Sequence, residues 1–223
     1  MEKSTPLTIT ISRQKGCGGA YLGQRIAKAL GITYLDRELL TEIANKLDTT
    51  VEVVEAYDER PISVWEALVE PLSMSIPWTY TPPPIQSPAI QVSELEAEII
   101  VTTAAEKSVV VVGRGGSYLL RDHPKLVTIM LHASLPWRCL RTQDIYSLSH
   151  QEALKVIEKT DTERARYKKS MSGLETTDAT QYHLALDTGV LGLENAATLI
   201  LHYIRTRFPD DTVPAVGNDR SLD

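Results

Sequence analysis

Cysteine is scarce in this chain: there are two in 223 residues, Cys17 and Cys139, with no pairing or metal-ligand pattern between them. That excludes a disulfide-built fold and fits a reducing cytoplasm as the expected compartment. Long hydrophobic runs are missing too, and no stretch approaches the length of a membrane span. The opening residues, MEKSTPLTITIS, move straight into a strand pattern without a signal-peptide arrangement. Positive charge is short as well, because 23 Lys and Arg stand against 29 Asp and Glu for a net charge of −6. A general nucleic-acid binder needs a basic field to displace counterions, so nucleic acid is not an expected partner. A local basic cluster could still hold a small anionic ligand. His123, His132, His150, His183 and His202 have no ligand spacing, so no metal-ligand set is assigned from the sequence. His132 and His183 lie in apolar strand contexts and read as structural.

What is present suits one domain, with 43% hydrophobic and 23% charged residues. Leu7, Ile9 and Ile11 alternate with threonines, which predicts a β-strand. Leu22, Ile26, Ala29 and Leu30 then recur at helical spacing, and Gly31 supplies a stop. ITYLD suggests a second strand, followed by a helix through Leu39, Leu40, Ile43 and Leu47. Thr49 with Glu52, Ser93 with Glu96, and Ser149 with Glu152 have capping-box spacing and predict three helix starts. SVVVV reads as a strand covered on both faces. LVTIML and YHLALD look like two more. Leu193, Ala196, Ala197, Ile200, Leu201 and Ile204 share one face of a last helix. Strands alternating with helices predict an α/β architecture with a parallel sheet. The proline-rich PLSMSIPWTYTPPPIQSP reads as a loop, and the tail from residue 209 as polar and frayed.

The stretch with most chemical content is LTITISRQKGCGGAYLGQRIAKALG, a strand, a glycine loop and a helix. A phosphate-binding loop reads G-x-x-x-x-G-K-S/T. Laid on RQKGCGGA, Gly18 keeps the second glycine. Arg13 replaces the first, Gly19 the lysine and Ala20 the hydroxyl residue. Gly16, Gly18 and Gly19 let the backbone approach an anion, and the helix beyond offers N–H groups and a positive dipole end. Gly16, Cys17, Gly18, Gly19, Ala20 and Tyr21 are therefore the candidate nucleotide-phosphate contacts. The missing lysine removes a charge that would stabilise a transferring phosphoryl group. Arg13 and Lys15 stand close enough in sequence to substitute. Cys17 sits where a helix N-terminus could lower a thiol pKa, although a small residue fitting the loop is the simpler reading.

TISRQKGCGGAYLGQRIAKALGITYLDRELL, VVVVGRGGSYLLRDHP, LHASLPWRCLR, TDTERARYKKSMSG and YHLALDTGVLGLENAATLIL occur in this order. Together they resemble the cytidylate kinase-like family, a branch of the P-loop nucleoside monophosphate kinases, over roughly residues 7 to 205. The resemblance implies a three-layer P-loop kinase fold with a central parallel sheet. It implies one domain over residues 1–208, with a mobile acceptor-binding region at about 48–105 and a lid at about 147–178. It places Asp36 and Arg37 against the acceptor nucleotide and Arg114 on the acceptor's phosphate. Gly115 stands where the family's Gly-Arg-Asp carries its aspartate, which opens the choice of acceptor. Asp161 and Arg164 match the lid's spaced Asp and Arg, and Arg166 is the next candidate. Trp65, Trp78 and Tyr80 could stack on a base or pack a loop.

The expected activity is ATP-dependent, Mg²⁺-assisted transfer of a phosphoryl group to a nucleoside monophosphate, CMP or dCMP first, with Arg13, Lys15, Arg164 and Arg166 as catalytic candidates. Departures at Gly19, Ala20 and Gly115 leave two alternatives open: a nucleotide-binding module that no longer catalyses, and a kinase for another small phosphate acceptor.

Overall fold

The computed structural model describes residues 5–36, 88–173 and 175–209. The capping pair Thr49–Glu52, the helix through Leu39–Leu47, the aromatic set Trp65, Trp78 and Tyr80, and the tail beyond Pro209 fall outside the described residues.

Among the described residues, five strands form one sheet, in the order β2-β3-β1-β4-β5 and parallel throughout. They are β1 (Thr8–Arg13), β2 (Thr33–Leu35), β3 (Val109–Val112), β4 (Leu126–His132) and β5 (Leu184–Asp187). The helices are α1 (Gly19–Leu30), α2 (Pro88–Glu106), α3 (Gly116–Leu119), α4 (Leu135–Tyr146), α5 (His150–Ser172), α6 (Thr188–Leu191) and α7 (Leu193–Arg207).

Strand periodicity explains the layering. Val110 and Val112 join Ile9, Ile11, Val127, Ile129 and Leu131 on one face, where Leu22 and Ile26 of α1 and Ala196 and Ile200 of α7 pack. Val109 and Val111 point the other way, onto Ile99, Ile100 and Ala104 of α2 and onto Leu120. All four valines of β3 are wholly buried, as a strand covered on both faces requires. Each such side chain contributes about 1.5–3 kcal/mol relative to leaving it in water. A smaller cluster of Cys139, Ala153 and Ile157 joins α4 to α5.

Ser149 caps α5 as expected, accepting from the Glu152 amide while the Glu152 carboxylate accepts from the Ser149 amide. The start expected at Ser93 is wrong: α2 already runs from Pro88, and Glu96 is committed to an arginine rather than to a cap. His183 is structural, its Nδ1 accepting from the Thr128 amide at 2.9 Å to tie the segment before β5 to β4. His132 ends β4 half-exposed, 4.0 Å from Asp187.

Candidate functional site

Three loops converge at the carboxyl end of the sheet, where open α/β sheets bind ligands. Arg13 is the last residue of β1, Gly113–Gly115 follow β3, and Ala133 follows β4. Leu131 and Arg13 are partners in register, so the mouths of β1 and β4 sit side by side.

The glycine loop links β1 to α1. Gly18, at φ +78°, is the residue before the helix and takes a left-handed conformation there without a side chain to cap the first helical amides. Those amides have no intrahelical partner, and no acidic residue occupies the first turn to compete for an anion. Gly16 is needed for space as well as conformation, because a Cβ there would lie 2.8 Å from the carbonyl oxygen of Arg138.

Two cavities open above these loops. The larger, about 330 Å³, is lined by Gly16, Gly18, Gly19, Ala20, Tyr21 and Lys15 of the loop and helix start, with Arg13, Asp36, Arg141, Thr142, Tyr146 and Arg164 around them. The smaller, about 50 Å³, lies between β3 and α5 and is lined by Arg13, Gly113–Ser117, Arg164, Tyr167, Lys168 and Thr176, among other residues. No acidic side chain is among its described lining residues, whereas four are cations. Arg13 and Arg164 line both cavities, and Arg164 Nη1 donates to the Arg13 carbonyl at 3.4 Å.

Each cavity also holds a buried polar atom without a hydrogen-bond partner among the described residues. Arg141 Nε and Thr142 Oγ1 belong to residues of the larger, and Thr176 Oγ1 to a residue of the smaller. Buried polar groups are normally satisfied, so these three mark the polar walls of the two cavities as incompletely paired.

The sequence-selected residues divide unevenly. Arg13, Lys15, Gly16, Gly18, Gly19, Ala20, Tyr21, Asp36 and Arg164 all reach the larger cavity. Lys15 is engaged there, its Nζ donating to Tyr146 Oη at 2.9 Å and lying 4.4 Å above that ring. Asp36 accepts from Tyr34 Oη at 2.9 Å. Arg37 lies outside the described residues.

Cys17 lines neither of these two cavities. Its side chain is wholly buried in the core, and burial pushes the thiol up to about 11, so helix-end activation does not operate. Arg166 is not at the site either. It lines a separate open cleft with Lys155, Glu158, Lys159, Thr162 and Glu163. Two helical steps of 100° each carry it to the far side of α5 from Arg164.

Arg114 reaches the smaller cavity, yet it is only 3% exposed, and its Nη1 donates to Glu96 Oε1 at 2.6 Å. Burial lowers its pKa to about 10, partly offset by Asp36 and reinforced by Arg13. It therefore remains a cation at neutral pH, gripped by α2. Its φ of +58° is a left-handed conformation that costs a non-glycine residue on the order of 1 kcal/mol. The strain is local to the floor of this cavity.

A Cβ on Gly115 would stand 2.6 Å from Met171 Sδ, so the aspartate of Gly-Arg-Asp would require the Met171 side chain to move aside. Met171 and Tyr167 of α5 fill that side instead.

Sequence reasoning missed Arg138 and Arg141 as site residues. Arg138 Nε donates to the Ala133 carbonyl and its Nη1 to the Lys15 carbonyl, at 3.1 and 3.2 Å. Its sequence signals are its place in LHASLPWRCLR and the spacing Arg138, Arg141, Thr142, which puts all three on one face of α4.

A parallel sheet flanked by helices, with a glycine loop between β1 and α1, defines a P-loop kinase fold. Solved structures agree. An uncharacterised protein from Eubacterium ventriosum ATCC 27560 superposes with a TM-score of 0.66 at 22% identity, covering 90% of this chain and 99% of that one. Shikimate kinases from Bacteroides thetaiotaomicron and Aquifex aeolicus vf5 follow with TM-scores of 0.53 and 0.50 at 15% and 12% identity. The first pair overlaps over 89% of this chain and 98% of the kinase, and the second over 90% and 98%. At such identities the likeness is one of fold. The profile of the cytidylate kinase-like family matches residues 8–190, and the chain belongs to that family. No curated protein matches the sequence. No described helix is long and apolar enough to cross a membrane.

Proposed function

We propose that this protein transfers the γ-phosphoryl group of ATP to a nucleoside monophosphate, with CMP or dCMP the first acceptors to try. The observation that carries this reading is the sharing of Arg13 and Arg164 by a loop-lined cavity and a cationic one. A group passing between two anionic ligands would cross the space those two arginines bound.

The roles follow from the residues. The amides of Gly18–Tyr21 and the α1 terminus would hold the donor's polyphosphate. Lys168, with Arg114 beneath, would favour an acceptor that already carries a phosphate. That phosphate is itself the nucleophile, so no general base is required. A bond forms from its oxygen to the γ-phosphorus, the bond to the bridging oxygen breaks, and ADP leaves. Arg13 and Arg164 would balance the charge on the transferring group, since such reactions depend on positioning and neutralisation.

Mg²⁺, when bound with ATP, supplies further charge neutralisation. The residues present fit a metal carried mainly by nucleotide: no cluster of three or more His, Cys, Asp or Glu occurs among the described residues, Ala20 offers no hydroxyl, and Asp36 is the carboxylate lining the larger cavity.

A second reading, a kinase for another small phosphorylated acceptor, is favoured by Gly115, because no carboxylate stands at the selecting position and the Met171 side chain lies against it. A panel of nucleoside monophosphates and simple sugar phosphates, with each product identified, separates the two. A diphosphate formed from CMP or dCMP supports the first. Phosphorylation of non-nucleotides alone replaces it with the second.

A further inference from the structure

Gly19 occupies the position at which a phosphate loop ordinarily carries its lysine, and its backbone does not explain the glycine. It lies within the first turn of α1 and is not among the residues with positive φ. The explanation is a side chain. A Cβ on Gly19 would stand 2.8 Å from Arg13 Cγ and 3.3 Å from both Cβ and Cδ of Arg13. These are stem atoms held by a strand end, not the free tip of a flexible chain. Farther along, Nη1 of the same arginine lies 1.8 Å from where a Cβ on Gly113 would be. The Arg13 side chain thus runs past residue 19 and lays its guanidinium across residue 113, between the two cavities.

We propose that residues 13 and 19 are an exchanged pair: the positive charge that a phosphate loop usually delivers from residue 19 is delivered here from residue 13, and Gly19 and Gly113 are the groove through which it passes. The usual first glycine of the loop has become the cation, and the usual cation has become the glycine. The ligand class is the polyphosphate of a nucleoside triphosphate. This deepens the reading of the larger cavity as the donor site and rests on it. It also states a constraint the sequence pattern lacks, namely that the two side chains exclude each other. Arginine adds what lysine does not, a planar fork able to bond two phosphate oxygens at once.

The test is calorimetric titration of the full chain with inorganic tripolyphosphate, and separately with MgATP, alongside a melting curve for each variant. Arg13→Ala should weaken tripolyphosphate binding about tenfold or more, the scale of losing a charge-assisted contact. Gly19→Lys alone should weaken it similarly, because the new stem and the Arg13 stem compete for one space. Arg13→Gly combined with Gly19→Lys should recover affinity to within about threefold of wild type, restoring the ordinary arrangement. Arg13→Lys should fall between wild type and Arg13→Ala, and it decides the matter if the double variant does not fold.

The proposal is overturned by Arg13→Ala binding as wild type does, by Gly19→Lys binding more tightly than wild type with Arg13 in place, or by a folded double variant no better than Arg13→Gly. An Arg13→Lys protein no better than Arg13→Ala, or wild type that binds no tripolyphosphate, does the same. Because tripolyphosphate binding needs no acceptor, an exchange seen there upholds the proposal even if no nucleoside monophosphate is phosphorylated.

Discussion

Arg138 donates to the Asp161 carboxylate at 2.5 Å, and the other oxygen of that carboxylate accepts the Lys15 amide at 2.6 Å. The pair fastens α4, α5 and the glycine loop together at one point. Arg164, three residues beyond Asp161 on α5, inherits its placement from that anchor. Asp161 thus acts on the site through the elements it holds.

Removing the carboxylate leaves a nearly buried guanidinium with backbone carbonyls but no counter-charge, and a loop amide without its acceptor. Asp161→Ala is expected to cost about 2 kcal/mol, or about 4–8 °C in Tm for a chain of this size. Differential scanning calorimetry checks this. Turnover should fall as well, and Asp161→Asn, which keeps one acceptor oxygen, should lose less of both. An unchanged Tm would show that the anchor carries no stability.

Arg164 and Arg166 should behave oppositely. Arg164→Ala is expected to lower kcat by roughly tenfold to a thousandfold, the range for losing a charge contact to a transition state. Arg166→Ala should remain within about twofold of wild type, the size expected when no transition-state contact is lost. Steady-state kinetics on both variants decides it, and equal losses would contradict the assignment of sides on α5.

Glu96→Ala isolates a buried cation and should destabilise the fold by about 3–5 kcal/mol. The double variant Glu96→Leu with Arg114→Met should regain much of that stability, because apolar replacements of a buried pair are well tolerated. If Arg114 serves the acceptor, this stable protein should still show a raised KM for the acceptor and an unchanged KM for ATP. Wild-type kinetics in the double variant would make the pair purely structural.

Most of the sheet was legible because its strands announce themselves by period: alternation in β1 and a continuous valine run in β3. The glycine loop was legible for the same reason, lying between a period of two and a period near four. Pairings across the fold were not. Glu96 carries helix-cap spacing with Ser93, but its carboxylate is taken by Arg114, a contact that exists only once α2 packs on β3. Arg138 lies within a segment of the resemblance, LHASLPWRCLR, but its role comes from two loops and α5 meeting in space. Arg166 is different, since helical geometry alone places it opposite Arg164.

Cys17 gives a test of burial. Its thiol, moved from an ordinary 9.0 to about 11, is ionised to about one part in a thousand at pH 8. Iodoacetamide should leave Cys17 of the native protein unlabelled under conditions that modify the unfolded chain, as read by peptide mass spectrometry. Because the folded pKa is the raised one, the thiol's contribution to stability is complete below about pH 9 and is lost as pH climbs toward 11. Rapid labelling of the native thiol would contradict the placement of the glycine loop on the core.

The most direct measurement of the central claim is phosphorus NMR of ATP, Mg²⁺ and CMP incubated with the protein, beside a control without CMP. Transfer predicts resonances of ADP and CDP rising together with no free phosphate, and an inert control. Inorganic phosphate released at the same rate with or without CMP, or an unchanged spectrum in both tubes, would contradict it.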